Sequence, residues 1–184
     1  MIIKKIVLWI IMLTFIVVGM DFSDTQPDSA TAIECSSLLA NDFVLSIFTD
    51  SEIYRTTDAI QIWATLDYVG DNDNVTIWHF MPFVEFAIFG DNGFDLMPMH
   101  EEALQSSDLQ RGEVYRFDFQ KSGNWHFGYA PGDDFWDNFF MKDNLHLPVG
   151  EYTVTVHVAF SFTENNIIDS PNILTAEVNI RVVE

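Results

Sequence analysis

The clearest indication of the fold is the stretch AIQIWATLDYV at residues 59–69. Apolar and polar side chains alternate through it, with Ile60, Ile62 and Leu66 on one face and Gln61 and Thr65 on the other. Successive side chains of a β-strand point to opposite faces of a sheet, so this pattern is typical of a strand with one buried face. We therefore expect sheets to supply the core.

The same alternation recurs on both sides of this stretch. Two long segments alternate Val, Ile, Leu and aromatic residues with Thr, Asn and charged residues, and four shorter segments do so over five to seven residues. The six segments are residues 43–48, 75–80, 83–89, 114–119, 152–161 and 174–182. Only residues 97–109 are compatible with a helical turn, and nothing longer is predicted to be helical.

Turn-forming residues separate these segments. Gly, Asp, Asn and Pro are concentrated at residues 70–74, 90–93 and 148–150, where they favour tight connections. About seven short strands with turns at this spacing predict an all-β chain with two antiparallel sheets packed as a sandwich.

Two runs of sequence resemble bacterial immunoglobulin-like modules. These runs are LQRGEVYRF at residues 109–117 and LPVGEYTV at residues 147–154, in which a Gly-Glu turn leads into a strand. The layout of residues 43–183 is also similar to that of the bacterial intracellular proteinase inhibitor family. The resemblance implies an immunoglobulin-like sandwich; an inhibitory loop cannot be aligned, so inhibition is not carried over.

The first 32 residues have the pattern of an export signal. Lys4 and Lys5 precede an uncharged apolar run at residues 6–20, which Asp21 ends. As a helix this run spans about 22 Å, less than the roughly 30 Å of a bilayer core. We expect residues 1–32 to be a signal peptide cleaved before Ile33, after the small residues Ala30 and Ala32, or an N-terminal membrane anchor if they are retained. Val17 and Gly19 offer an alternative cleavage position nearer the apolar run.

Either outcome places the rest of the chain outside the cytosol, secreted or anchored to the cell membrane by its N-terminal segment. Residues 33–41 lack periodicity and are predicted to be a flexible tether, with the folded domain at residues 42–184. Cys35 is the only cysteine, so the chain forms no internal disulfide.

The chain is strongly acidic. It has 28 Asp and Glu against 8 Lys and Arg, a formal net charge of −20 at pH 7. Such a field repels phosphates and anionic lipid, so nucleic acid is excluded as a partner. The only predicted contact with a membrane is through an uncleaved N-terminal segment. Cationic partners are favoured.

No catalytic motif is present, and we expect a protein that is not an enzyme. The nearest approach to the zinc-protease motif is His100-Glu101-Glu102-Ala103-Leu104, where Leu104 replaces the second histidine. The chain also lacks a Gly-x-Ser-x-Gly elbow and a glycine-rich phosphate loop.

Two acidic turns are candidate Ca²⁺ sites, because Ca²⁺ takes six to eight oxygen ligands. The candidate ligands are Asp71 and Asp73 in one turn and Asp91 and Asp95 in the other. The alternative is that these residues simply form turns between strands. No other cofactor is expected.

The least usual segment is the insert, which we define as residues 121–146. It is much longer than most connections between strands and is rich in aromatic and acidic side chains, a combination that suits recognition of a protein or cell-envelope partner. The candidate contact residues are Trp125, Phe127, Tyr129, Phe135, Trp136 and Phe140.

Three functions remain open at this point. The first is a non-catalytic exported module that binds a protein or cell-envelope partner through the insert. The second is a structural or spacer domain without its own ligand, in which the rings of the insert cover the core or form a further strand. The third is an inhibitor of exported proteases.

Overall fold

The computed structural model describes residues 33–40, 42–99, 101–121, 124–125 and 133–184. Twelve strands and two helices form in this part of the chain, so the protein is mostly β, as the alternating segments predict. In chain order the elements are β1 (Ile33–Ala40), β2 (Phe43–Thr49), β3 (Ile53–Arg55), β4 (Ile62–Tyr68), β5 (Asn74–Met81), β6 (Val84–Gly90), β7 (Asp95–Met97), β8 (Glu101–Gln110), β9 (Val114–Asp118), β10 (Asn124–Trp125), α1 (Asp133–Met141), β11 (Gly150–Phe160), α2 (Asn166–Asp169) and β12 (Asn172–Val183).

The strands form three sheets. A four-stranded sheet has the order β1-β2-β4-β9, and a six-stranded sheet has the order β10-β7-β6-β11-β12-β3. Strands β5 and β8 form a two-stranded sheet. All pairings are antiparallel except that of β3 with β12, which is parallel.

The two larger sheets bury their inner faces against each other. Phe43 of β2 lies against Phe160 of β11, with ring centroids 4.7 Å apart. On β11 every second side chain from Tyr152 to Phe160 is buried, and β4 and β12 follow the same period. Complete burial of such side chains stabilises the fold by about 1.5–3 kcal/mol each. A single hydrophobic core results.

All seven predicted strands are confirmed. Residues 59–69 give β4, and the six other alternating segments give β2, β5, β6, β9, β11 and β12. The turns lie between these strands where Gly, Asp and Asn predict them; Gly93 and Gly112, for example, have φ of 85° and 76°. Such backbone angles favour glycine because it lacks a Cβ.

Residues 97–99 and 101–109 are not helical, so the predicted helical turn is wrong. Strand β8 occupies most of this segment and pairs along its length with β5. Its first residues, Glu-Glu-Ala-Leu-Gln, are good helix formers, but hydrogen bonding to β5 and the burial of Leu109 favour the strand.

Residues 33–40 form a strand where the sequence predicts a tether. Strand β1 pairs with β2 from Ile33 opposite Thr49 to Ala40 opposite Phe43, with an irregularity between Glu34 and Ser36. The reason is tertiary: β2 offers a full ladder of backbone partners, which local composition does not reveal. The predicted leader, residues 1–32, lies outside the described residues.

Among the described residues, neither helix is long and apolar enough to cross a membrane. Helix α1 has nine residues and α2 has four.

Candidate functional site

The insert follows β9 and ends shortly before β11. Its first described element, β10, pairs with β7 so that Trp125 lies opposite Leu96. Its second, α1, is a helix where the sequence predicts none longer than a turn. The aromatic residues of α1 recur at three- and four-residue intervals, which places Trp136, Phe139 and Phe140 on one helical face. The insert is therefore partly built from regular structure.

Helix α1 is anchored in the core by aromatic contacts. Trp136 is 2% exposed, and Phe139 is also buried. Phe94, which precedes β7, is at the centre of the cluster: its ring centroid lies 5.2 Å from that of Trp136, 5.7 Å from that of Phe139 and 5.7 Å from that of Tyr152. The cluster fixes α1 to the six-stranded sheet.

Lys121 fastens the C-terminal end of α1 to the end of β9. Its Nζ donates hydrogen bonds to the carbonyl oxygens of Phe139, at 2.8 Å, and Lys142, at 2.5 Å, and lies 4.8 Å from the centroid of the Phe139 ring. The last carbonyls of a helix lack intrahelical donors and attract cations. Burial lowers the pKa of Lys121, and the nearby charge of Lys142 lowers it further.

The six candidate contact residues fall into three groups. Trp136 is buried, whereas Phe135 and Phe140 are half-buried and pack against the core. Trp125 lies in β10. Phe127 and Tyr129 lie outside the described residues. The structure therefore brings Phe135, Trp136 and Phe140 together on α1, and the Trp136 ring has little surface left for a partner.

The outer face of α1 carries different residues. Asp137 and Asn138 are exposed, and Met141 is 83% exposed. We call these three residues the outer face. Sequence reasoning missed them because it read the segment as a loop, although the helical spacing of the aromatic residues was a signal that could have found this face.

A cleft of about 370 Å³ lies at the base of the insert, and we call it the base cleft. Residues from both ends of the insert, Lys121 and Asp143, line it together with Trp63, Arg116 and Asp118. Trp63 is only 9% exposed, because Phe48 stacks beside it with centroids 5.6 Å apart and the Arg116 guanidinium lies 4.4 Å from the ring centroid. The cleft therefore offers mainly charged groups.

The first candidate Ca²⁺ turn is occupied by an arginine. Arg111 donates a hydrogen bond to the Asp73 carboxylate at 3.3 Å and another to the backbone carbonyl of Asp71 at 3.3 Å. Both aspartates are exposed and lie between β4 and β5. The guanidinium thus supplies a cation to this turn from within the chain.

The second candidate turn is bonded to the start of β11. Asp91 Oδ1 accepts a hydrogen bond from the Glu151 amide at 3.0 Å. Asn92 accepts one from the Phe94 amide at 2.9 Å and donates to Tyr152 Oη at 2.8 Å. Asp95 lies on β7, opposite Phe89.

No three His, Cys, Asp or Glu residues within the described ranges come together as potential metal ligands. Glu101 and Leu104, from the nearest match to a zinc-protease motif, lie in strand β8 and not in a helix.

Comparison with known proteins identifies no family. A scan against protein-family models gives no match, and a search of curated proteins finds no relative of this chain.

Proposed function

We propose that this chain is an exported, non-catalytic module with an immunoglobulin-like β-sandwich fold, and that it binds a protein or cell-envelope partner through the insert. The observation that carries the proposal is the fixed position of α1. Trp136 and Phe139 anchor the helix in the core and Lys121 holds its C-terminal end, so the outer face has a defined position. A surface that is ordered before binding loses less conformational entropy on association.

The charge of the chain indicates the kind of partner. A formal net charge of −20 favours cationic protein surfaces and opposes nucleic acid and anionic lipid. Asp137 adds an acidic group to the outer face, and Met141 adds an adaptable apolar contact. Trp125, Phe127 and Tyr129 remain the predicted aromatic contacts of the insert.

One observation favours the alternative, a structural or spacer domain. If the rings of the insert serve the core, no aromatic surface is left for a ligand, and Trp136 and Phe139 are indeed buried. The two functions differ in whether substitutions on the surface of the insert abolish binding.

Affinity capture of exported and envelope proteins on the immobilised chain distinguishes a binding module from a spacer domain. The test variant changes Asp137→Ala, Asn138→Ala and Met141→Ser on the exposed side of α1. The matched control is Ile168→Ser, which alters a residue that is 78% exposed on the other helix, α2. Circular dichroism must first show that both variants fold.

We expect the parent chain and Ile168→Ser to retain a partner and the triple variant to lose it. A second variant, with Trp125, Phe127 and Tyr129 changed to Ser, tests the predicted aromatic contacts separately. Retention of the same partner by both insert variants would contradict the proposal. Capture of nothing by the parent would favour the spacer domain.

A further inference from the structure

Strand β9 leaves one backbone edge open. It is the last strand of the four-stranded sheet, and β4 is its only neighbour among the described residues. The Phe119 amide donates to the carbonyl oxygen of Ile62 at 2.9 Å. In an antiparallel pair the hydrogen-bonded positions recur at every second residue. Tyr115 and Phe117 therefore bond to β4, and Val114, Arg116 and Asp118 direct their backbone groups away from it.

A cleft of about 410 Å³ with both apolar and polar residues in its lining lies beside this open edge, and we call it the edge cleft. Phe83, Phe86 and Phe117 line it, and the rings of Phe83 and Phe117 meet edge to face with centroids 5.7 Å apart. Pro82 and Pro98 add apolar walls.

The side chains along β9 alternate between two environments. Phe117 is half-buried and packs against the core, whereas Arg116 and Asp118 are exposed and line both the edge cleft and the base cleft. Arg116 Nε donates a hydrogen bond to Asp118 Oδ1 at 2.8 Å, and Arg116 Nη2 makes an ion-pair contact with the same oxygen at 2.7 Å. The guanidinium also lies over the ring of Trp63. Its charge is therefore compensated within the chain, and Glu85 adds an acidic group at the cleft.

These features together describe a surface for an added strand. A strand beside β9 would lie about 4.8 Å away and place alternate side chains towards the edge cleft. Its backbone would bond to the outward amide and carbonyl groups of Arg116 and Asp118, and its other side chains would face solvent. Backbone bonding supplies affinity in this mode, and the cleft selects the side chains.

We propose that the open edge of β9 binds an extended, cationic segment of a partner protein by β-strand addition, with apolar side chains at alternate positions in the edge cleft. The charge of −20 attracts such a segment and repels a second copy of this chain. This surface shares no residue with the outer face of α1, so the inference goes beyond the proposed function.

Amide hydrogen exchange of the full chain, followed by NMR, tests the inference directly. Without a ligand, the amides of Tyr115 and Phe117 exchange slowly, and those of Arg116 and Asp118 exchange fast. The probe is the capped peptide Lys-Val-Lys-Val-Lys-Val-Lys, and the control is the same peptide with Glu in place of Lys. At ten times its dissociation constant, the cationic peptide slows exchange of Arg116 and Asp118 about tenfold.

Two variants at one position separate the backbone from the side chain. Arg116→Ala and Arg116→Pro both remove the guanidinium, but only proline removes the outward amide, and this amide is not used by β4. We expect Arg116→Ala to bind the cationic peptide within a few-fold of the parent and Arg116→Pro to bind it at least about tenfold more weakly. Thermal melts establish that each variant folds. If Arg116→Pro does not fold, the amide exchange pattern of the parent chain with and without the cationic peptide tests the inference by itself.

Three outcomes would overturn the inference: protection of α1 amides instead of β9 amides, equal protection by the acidic peptide, or protection of Arg116 and Asp118 by self-association without peptide. These outcomes are independent of the insert variants. If the triple variant on the outer face loses a captured partner, the amide exchange result for β9 is unaffected. If the cationic peptide does not protect β9, the proposed function of the insert is not contradicted.

Discussion

The Tyr54 hydroxyl joins three segments near one edge of the six-stranded sheet. It accepts a hydrogen bond from the Ser51 amide at 2.9 Å, donates to Asp50 Oδ1 at 2.5 Å and lies within hydrogen-bond distance of Thr49 Oγ1. Asp50 Oδ1 also accepts from the Gln61 amide at 3.0 Å, just before β4. One buried hydroxyl thus links the end of β2 to β3 and, through Asp50, to the start of β4.

Tyr54→Phe should lower the free energy of unfolding by about 1–3 kcal/mol, because it leaves the partners of a buried hydroxyl without their hydrogen bond. Burial raises the pKa of Tyr54 above its ordinary 10.0, and the hydrogen bond to Asp50 raises it further. The resulting stabilisation is fully present below pH 10 and is lost as the pH rises through the folded-state pKa.

Urea denaturation of the parent and Tyr54→Phe at about pH 7 and about pH 11 measures this difference. The gap in unfolding free energy should be smaller at the higher pH. An equal gap at both values would mean that the hydroxyl does not hold its proton more tightly in the folded state.

Lys121, the first residue of the insert, bonds to the C-terminal end of α1. Lys121→Met keeps much of the apolar stem but removes two hydrogen bonds to carbonyls at the end of α1, so it should lower the unfolding free energy by about 1–2 kcal/mol. Lys142→Met is the matched control, because it removes an exposed lysine whose backbone carbonyl, not its ammonium, makes the contact. Equal losses in denaturant titrations of the two variants would show that charge, not bonding, is responsible.

At the scale of elements, α1 is an anchor with one buried and one exposed side. Trp136→Ala should lower the unfolding free energy by about 3–5 kcal/mol, because it empties the space beside Phe94 and Phe139. Met141→Ala, on the exposed side, should change it by less than about 0.5 kcal/mol. Chemical denaturation of both variants checks the contrast. Similar values would mean that α1 is not packed as described.

The sequence predicts those strands in which apolar and polar residues alternate, because such strands bury one face. On β11 and β12 the period of two is uninterrupted because each strand meets the core along one face. On β4 it is interrupted once, at Trp63, which is buried on the opposite face beside Phe48. Strand β8 starts with helix formers and becomes a strand through pairing with β5. Strand β1 has no alternation, and β2 supplies its partners. Pairing across the chain is not encoded in a local window.

The candidate site likewise has features that the sequence predicts and features that depend on contacts between distant residues. The insert was predictable from its length and composition, but the burial of Trp136 depends on Phe94, which lies far away in the sequence. Both clefts combine residues from strands and connections that are distant along the chain. No spacing rule relates Trp63 to Asp143, or Phe83 to Phe117, because in each pair a strand residue meets a residue of a distant connection only in the folded chain.

At the scale of the whole molecule, charge repulsion opposes folding. The chain carries a net charge of −20, and the few described salt bridges are exposed, so salt should screen more repulsion than attraction. Raising NaCl from about 0.05 M to about 0.5 M should therefore raise the melting temperature. An unchanged or lower melting temperature would contradict this prediction.

Calcium chloride and magnesium chloride at one ionic strength extend the experiment to the candidate Ca²⁺ turns. Because Arg111 already bonds to Asp73, and Asp91 to the Glu151 amide, we expect equal shifts with the two salts. A larger shift with Ca²⁺ would identify a specific site, since a ligand held only by the folded chain stabilises it.

The position of β12 has a consequence for when this protein can fold. The last strand along the chain lies between β11 and β3 in the six-stranded sheet and also contacts β1 and β2 of the other sheet. Until residues 172–183 emerge, a growing chain therefore lacks both the partner of its longest strand pairing and one wall of its core. The contacts of β12 with β1, β2 and β3 join segments from opposite ends of the described chain, and contacts of such large sequence separation form slowly. Completion of the core must therefore await the synthesis of β12, and a chain that stops before residue 172 should remain unfolded and open to proteases.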